Sequence, residues 1–133
     1  MNLYDVLAKK IDDHPVLKCV SWPNGIRIEA PNADGFAVQV WGGDNDWTVS
    51  VGDGGAWHEQ LSESDDVLNF VAWCYSGEAR LREARRGNWV QTAILEAHSV
   101  DGWYEESRVV YPFVPFWRKT RETVFHNPDL LSD

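Results

Sequence analysis

Between Val16 and Val51 apolar and polar residues alternate with a period of two, and turn-forming segments break the alternation three times. In an extended chain successive side chains point to opposite faces, so this pattern predicts a sheet with one dry side and one wet side. The runs VLKCVSW, IRIEA, FAVQVW and WTVSV, separated by PNG, PNADG and GGDN, read as four short antiparallel strands. A three-residue loop at Pro23–Gly25 sets Trp22 against Ile26 and Val20 against Ile28. A five-residue loop at Pro31–Gly35 then sets Ala30 against Phe36, Ile28 against Val38 and Ile26 against Val40. Patterning selects a last loop at Gly42–Asn45, pairing Val40 with Trp47, Val38 with Val49 and Phe36 with Val51, because a slip of one residue would mix polar with apolar positions. The wet side carries Ser21, Arg27, Glu29, Gln39, Thr48 and Ser50, with Trp41 among them.

Helices are expected on either side of this meander. Residues 2–11 place Leu3, Val6, Leu7 and Ile11 on one helical stripe behind Asn2 as a cap, and the helix should stop near Asp12, ahead of Pro15. The segment LSESDDVLNFVAWCYSG reads as a second helix, with Ser62 and Asp65 at capping-box spacing, Val67, Phe70, Val71, Cys74 and Tyr75 as its buried stripe, and Ser76-Gly77 as its stop. For residues 78–86 composition favours a helix, whereas Gly77 before them and the strand-like NWVQTAILEAH after them favour a strand, which is the reading taken. Asp101-Gly102 marks a hairpin with Val100 beside Trp103, Ile94 beside Val109 and His98 opposite Glu105. A final strand covers part of 117–125 after the proline-broken YPFVP link, and the chain closes in a polar tail. The expected architecture is a single α+β domain over residues 1–133. Its order is one helix, four strands, a second helix and three or four strands, with antiparallel meanders and both helices packed on one sheet face.

Composition narrows the class. The 133 residues are 44% hydrophobic and 25% charged, which is ordinary for a globular chain and excludes wholesale disorder. The opening MNLYDVLAKKIDD does not form a signal peptide, and the longest apolar run, 109–117, holds two prolines and is about half a membrane span. A soluble, cytoplasmic protein with no membrane partner is expected. Cys19 and Cys74 form neither a CxxC pair nor a disulfide framework and read as buried thiols. The net charge is -9, unevenly spread: residues 1–66 hold four Lys/Arg against twelve Asp/Glu, a net of -8. Such a field repels nucleic acid and attracts a basic protein.

Catalytic and metal signatures are incomplete. His58-Glu59 lacks the second histidine of a zinc helix, because position 62 is serine. The acidic run 44–46 has Thr48 and Val49 where a calcium loop needs a ligand and a glycine, so it reads as a hairpin tip. Gly52-Asp53-Gly54-Gly55 lacks the lysine and hydroxyl of a phosphate loop. Neither a cofactor nor a metal is expected. The arginines at 80, 82, 85 and 86, and Arg118, Lys119 and Arg121, are expected to pair with the acidic first half or to face solvent. Most of the eight tryptophans sit at core strand positions; Trp41 and Trp57 are the exceptions. The function expected is a non-catalytic protein-binding module, of inhibitor or immunity type, that neutralises a basic partner through Asp44, Asp46, Asp53, Trp57 and Glu59. The alternative is a small-ligand binder or enzyme with a tryptophan-lined pocket between the second helix and the sheets, with His58 or His98 in its lining.

Overall fold

A computed structural model describes residues 2–112 and 117–131. Helix α1 (Leu3–Asp12) starts at Asn2, whose side chain accepts the Asp5 N–H at 2.9 Å while the Asp5 carboxylate accepts the Asn2 N–H, a reciprocal cap. Lys9 and Lys10 lie in its last turn, where cations complement the carbonyl end of the dipole. Five strands follow, not four: β1 (Cys19–Trp22), β2 (Gly25–Ile28), β3 (Val38–Gly43), β4 (Asp46–Val51) and β5 (Trp57–Leu61), an antiparallel sheet in chain order.

Two of the three expected registers change. β1 and β2 are joined by the two residues Pro23-Asn24, so Trp22 pairs with Gly25, Val20 with Arg27 and Cys19 with Ile28. Gly25 enters the strand because the Trp22 ring lies over it; a Cβ there would come within 2.5 Å of ring carbons. The shift by one residue reverses the faces of β1 and puts Val20 (60% exposed) and Trp22 (39%) outside. The β2–β3 register is the expected one. Between β3 and β4 the turn is Asp44-Asn45, both left-handed (φ 53° and 64°), the conformation of the tight hairpin turn that Asp and Asn tolerate. Val40 therefore pairs with Val49 and Val38 with Val51. That shift is by two residues, parity is kept, and Ile26, Ile28, Val38, Val40, Val49 and Val51 all remain buried on one side.

Helix α2 (Ser64–Cys74) begins two residues beyond the expected cap. Glu63 is its N-cap residue and makes no side-chain bond, so the Ser62–Asp65 capping box does not form; Asp65 and Asp66 in the first turn favour the helix through its dipole. The second sheet contains β6 (Ala79–Arg86), β7 (Trp89–Ser99), β8 (Gly102–Val110) and β9 (Thr120–His126), in the order β8-β7-β6-β9. Residues 79–86 thus form a strand, with Ala79, Leu81 and Glu83 buried and Arg80 and Arg82 alternating with them. The last strand does not extend the meander: β9 returns to pair with β6. The β7–β8 turn is Val100-Asp101, which sets Ser99 against Gly102, His98 against Trp103 and Ile94 against Arg108, so His98 does not face Glu105.

Buried side chains of α1, α2 and both sheets belong to one hydrophobic core. At its edge Asn127 is wholly buried: its Oδ1 accepts the Phe36 N–H at 2.8 Å, and its Nδ2 donates to the carbonyls of Phe36 and Cys74, both at 3.1 Å. The tail is not merely polar. Leu130 and Leu131 donate their amides to the Tyr75 carbonyl and pack on the core. Among the described residues no helix is long and apolar enough to cross a membrane. Residues 113–116 of the YPFVP link lie outside the described residues.

The cysteines differ in environment. Burial pushes the Cys74 thiol well above its usual range, and burial together with the Asp12 carboxylate raises that of half-buried Cys19. Iodoacetamide at pH 8 should therefore label native protein slowly at Cys19 and leave Cys74 intact until urea is added. Equal native labelling of both, read by peptide mass, would contradict this core.

Candidate aromatic cleft

An open cleft of about 470 Å³ lies where the edge of the first sheet meets α2 and the β7–β8 hairpin. Its deepest wall is Trp57, 1% exposed, which pairs with Val51 and so shares the inward face of the first sheet. The Trp57 indole stacks on Phe70 of α2 (5.5 Å between centroids, 12° between planes) and donates its Nε1–H to Ser107 Oγ at 3.2 Å. Phe70 in turn meets Trp73, one helical turn on. Three elements thus hold one aromatic wall in place.

Acidic groups stand around this wall. Glu59, two residues after Trp57, comes off the same face of β5 at the sheet edge, where the core gives way to solvent. Opposite are Tyr104, Glu106 and Ser107 of β8, with Leu95 and Ala97 of β7 beneath. Glu106 owes its place to a bulge: Leu95 pairs with Ser107 but Glu96 with Glu105, so Glu106 is the extra residue on β8 and joins its neighbours in the lining.

Of the five residues expected to form one contact surface, two share the cleft. Trp57 and Glu59 line the cleft, whereas Asp44 and Asp46 sit at the β3–β4 hairpin tip. Along β4, Asp46 is roughly 10 Å from Val49, the partner of Glu59, and roughly 16 Å from Val51, the partner of Trp57, at the usual strand rise. The side chain of Asp53 lies outside what is described. Neither expected histidine lines the cleft: His58 pairs with Ser50 on the opposite face of β5, and His98 packs edge-on against Trp103 at 5.1 Å. His58-Glu59 is on a strand, not a zinc helix. No group of three metal-ligating side chains occurs among the described residues.

Compared with known proteins, the chain matches no family model, and neither a curated protein nor a solved structure shows significant similarity to it. Its chemistry has to be read from the residues alone.

The remaining aromatic and basic residues depart from expectation in an informative way. Of the eight tryptophans only Trp47 and Trp57 are buried; Trp22, Trp41, Trp89 and Trp117 are exposed. The arginines of β6 find partners within their own sheet rather than in the acidic half. Arg80 and Arg82 donate to Glu96 at 2.6 and 2.8 Å, Arg82 lies 3.3 Å from Glu122, and Arg85 bonds Glu83. Arg80 also lies 4.4 Å over the Trp103 ring.

Proposed function

We propose that this domain is a non-catalytic binding module for a basic protein partner, and that the aromatic cleft receives an arginine or lysine side chain of that partner. The observation that carries the reading is the pairing of aromatic surface from Phe70, Trp73 and Tyr104 with the carboxylates of Glu59 and Glu106 in one cleft. A ring face attracts a cation through its quadrupole, and a carboxylate beside it attracts the same cation through charge and hydrogen bonding. The net charge of -9 adds a long-range field of the same sign. Asp44 and Asp46, away from the cleft, act in this reading by steering the encounter.

The double variant Glu59→Gln/Glu106→Gln is expected to bind an arginine-rich peptide at least tenfold more weakly than the native protein. Reversing Asp44 and Asp46 to lysine should mainly slow association at low salt. Titration calorimetry and stopped-flow fluorescence measure the two effects. If the double variant kept its affinity within twofold, the cleft would not be the site. A second reading, a free small cationic ligand, is supported by the cleft volume, which is that of a small-molecule site. Agmatine alone quenching tryptophan fluorescence as strongly as the peptide does would favour it.

A further inference from the structure

A second concavity, about 240 Å³, lies between the β2–β3 connection and the β6–β9 edge of the second sheet. It contains a feature that packing alone does not account for. Glu83 is 1% exposed, and its Oε1 accepts two bonds from Arg85, at 3.0 and 3.3 Å, yet its Oε2 has no hydrogen-bond partner among the described residues. A buried carboxylate oxygen to which no protein group donates calls for a partner from outside the fold, since natural cores seldom leave such an atom unpaired. Gly52 borders the same oxygen. Its φ is 90°, and a Cβ built on it would come within 2.7 Å of Leu81 and 3.3 Å of Glu83 Oε2, so only glycine lets the backbone pass this closely.

The walls are fixed beforehand. Phe36 and Phe125 supply apolar surface, while Ala33 and Ala37 keep the space open. Phe36 is held at its backbone by Asn127. The volume equals about eight waters in the liquid. Arg85 already balances the charge of Glu83, so the missing group need not be a cation, but it must donate a proton to a hydrogen bond. An anionic head is disfavoured by the carboxylate itself.

We propose that this cavity is a second, independent ligand site, which takes a small flat molecule with a carboxamide- or amidine-type N–H head on Glu83 Oε2 and an apolar body between Phe36 and Phe125. The orphaned oxygen is the recognition group. It is satisfied by the N–H head on binding.

Three probes of one shape separate the possibilities: benzamide, benzamidine and benzoate, titrated into ¹⁵N-labelled protein. Benzamide and benzamidine are expected to shift the amides of Phe36, Gly52 and Glu83 saturably in the millimolar range, and benzoate to leave them unmoved. Glu83→Met should weaken both donors at least tenfold while the melting temperature holds or rises, since an apolar side chain removes the orphan and leaves Arg85 partly solvated. Should Glu83→Met fail to fold, Ala33→Trp, a plug at the exposed rim, should produce the same loss. The proposal is overturned if benzoate shifts the same amides, if neither donor does, if the donors' shifts fall only at Trp73 and Tyr104 of the aromatic cleft, or if the folded variant binds like the native protein.

Discussion

Replacing Asn127 with leucine should destabilise the protein by about 3–9 kcal/mol, because each backbone group left buried without a partner costs about 1–3 kcal/mol. Three groups lose their partner at once: the N–H and C=O of Phe36 and the C=O of Cys74. Leucine is similar in size but can neither accept nor donate, so the three polar groups cannot be repaired from within the pocket. Against a typical domain stability of about 5–15 kcal/mol, such a loss is a large fraction of the whole. Urea denaturation followed by circular dichroism measures it; a change below about 1 kcal/mol would mean that water replaces the amide.

Asn127→Asp sharpens the same test. The carboxylate can still accept the Phe36 N–H, but it faces two carbonyl oxygens where the amide donated. Its folded-state pKa is therefore raised above the unfolded value of about 3.9, by burial and by the carbonyl dipoles. A raised pKa gives stability that is present below the unfolded pKa and lost as pH rises through the folded one. The Asp variant should thus be closer to the native protein near pH 4 than at pH 7, and the Leu variant should show no comparable pH dependence.

What the sequence conveyed and what it withheld follow from the same two-residue period. Alternation specifies which face a residue occupies, and it did so for Ile26, Ile28, Val38, Val40, Val49 and Val51. Parity is insensitive to a slip of two, so the β3–β4 register moved without moving any of these side chains to the wrong side. At β1, an edge strand with mostly exposed residues, little apolar area depends on the register, and packing of Trp22 on Gly25 reversed the faces. Strand β5 was missed because a glycine turn precedes it and the polar WHEQL reads as a loop, although Trp57 and Leu61 alternate inward there.

The cleft was half visible. A tryptophan-lined pocket beside the second helix was foreseeable from aromatic richness, but its membership was not. Glu106 depends on a bulge in β8, and bulges leave no mark in a period-two pattern. Asn127, in a stretch that reads as a polar tail, gives no local sign of its bond to Phe36, 91 positions earlier in the chain. Of the acidic residues expected to act together, Glu59 reaches the cleft through its pairing beside Val49, whereas Asp44 and Asp46 sit at the hairpin tip.

Trp57 links the fold to the cleft, and Trp57→Ala should cost about 3–5 kcal/mol, the range for emptying a large buried aromatic site. The ring is 1% exposed, stacks on Phe70 and bonds Ser107, so its removal loosens β5, α2 and β8 together. Trp57→Phe keeps the stacking surface and gives up the indole N–H, so it should cost only about 1–2 kcal/mol, from lost volume and the lost hydrogen bond. Ser107→Ala should remove the same bond while leaving the wall intact. In a double-mutant cycle the Trp57→Phe and Ser107→Ala effects should therefore fall short of additivity by about 0.5–1.5 kcal/mol. Trp57→Phe and Ser107→Ala should behave alike at the cleft: both keep an aromatic wall, so both retain most of the affinity for an arginine-rich peptide. Trp57→Ala should lose it even where the chain remains folded, because Phe70 and Trp73 then have nothing to hold them upright. Full additivity in the cycle, or unchanged peptide binding by a folded Trp57→Ala, would show that the wall and the binding surface are separate.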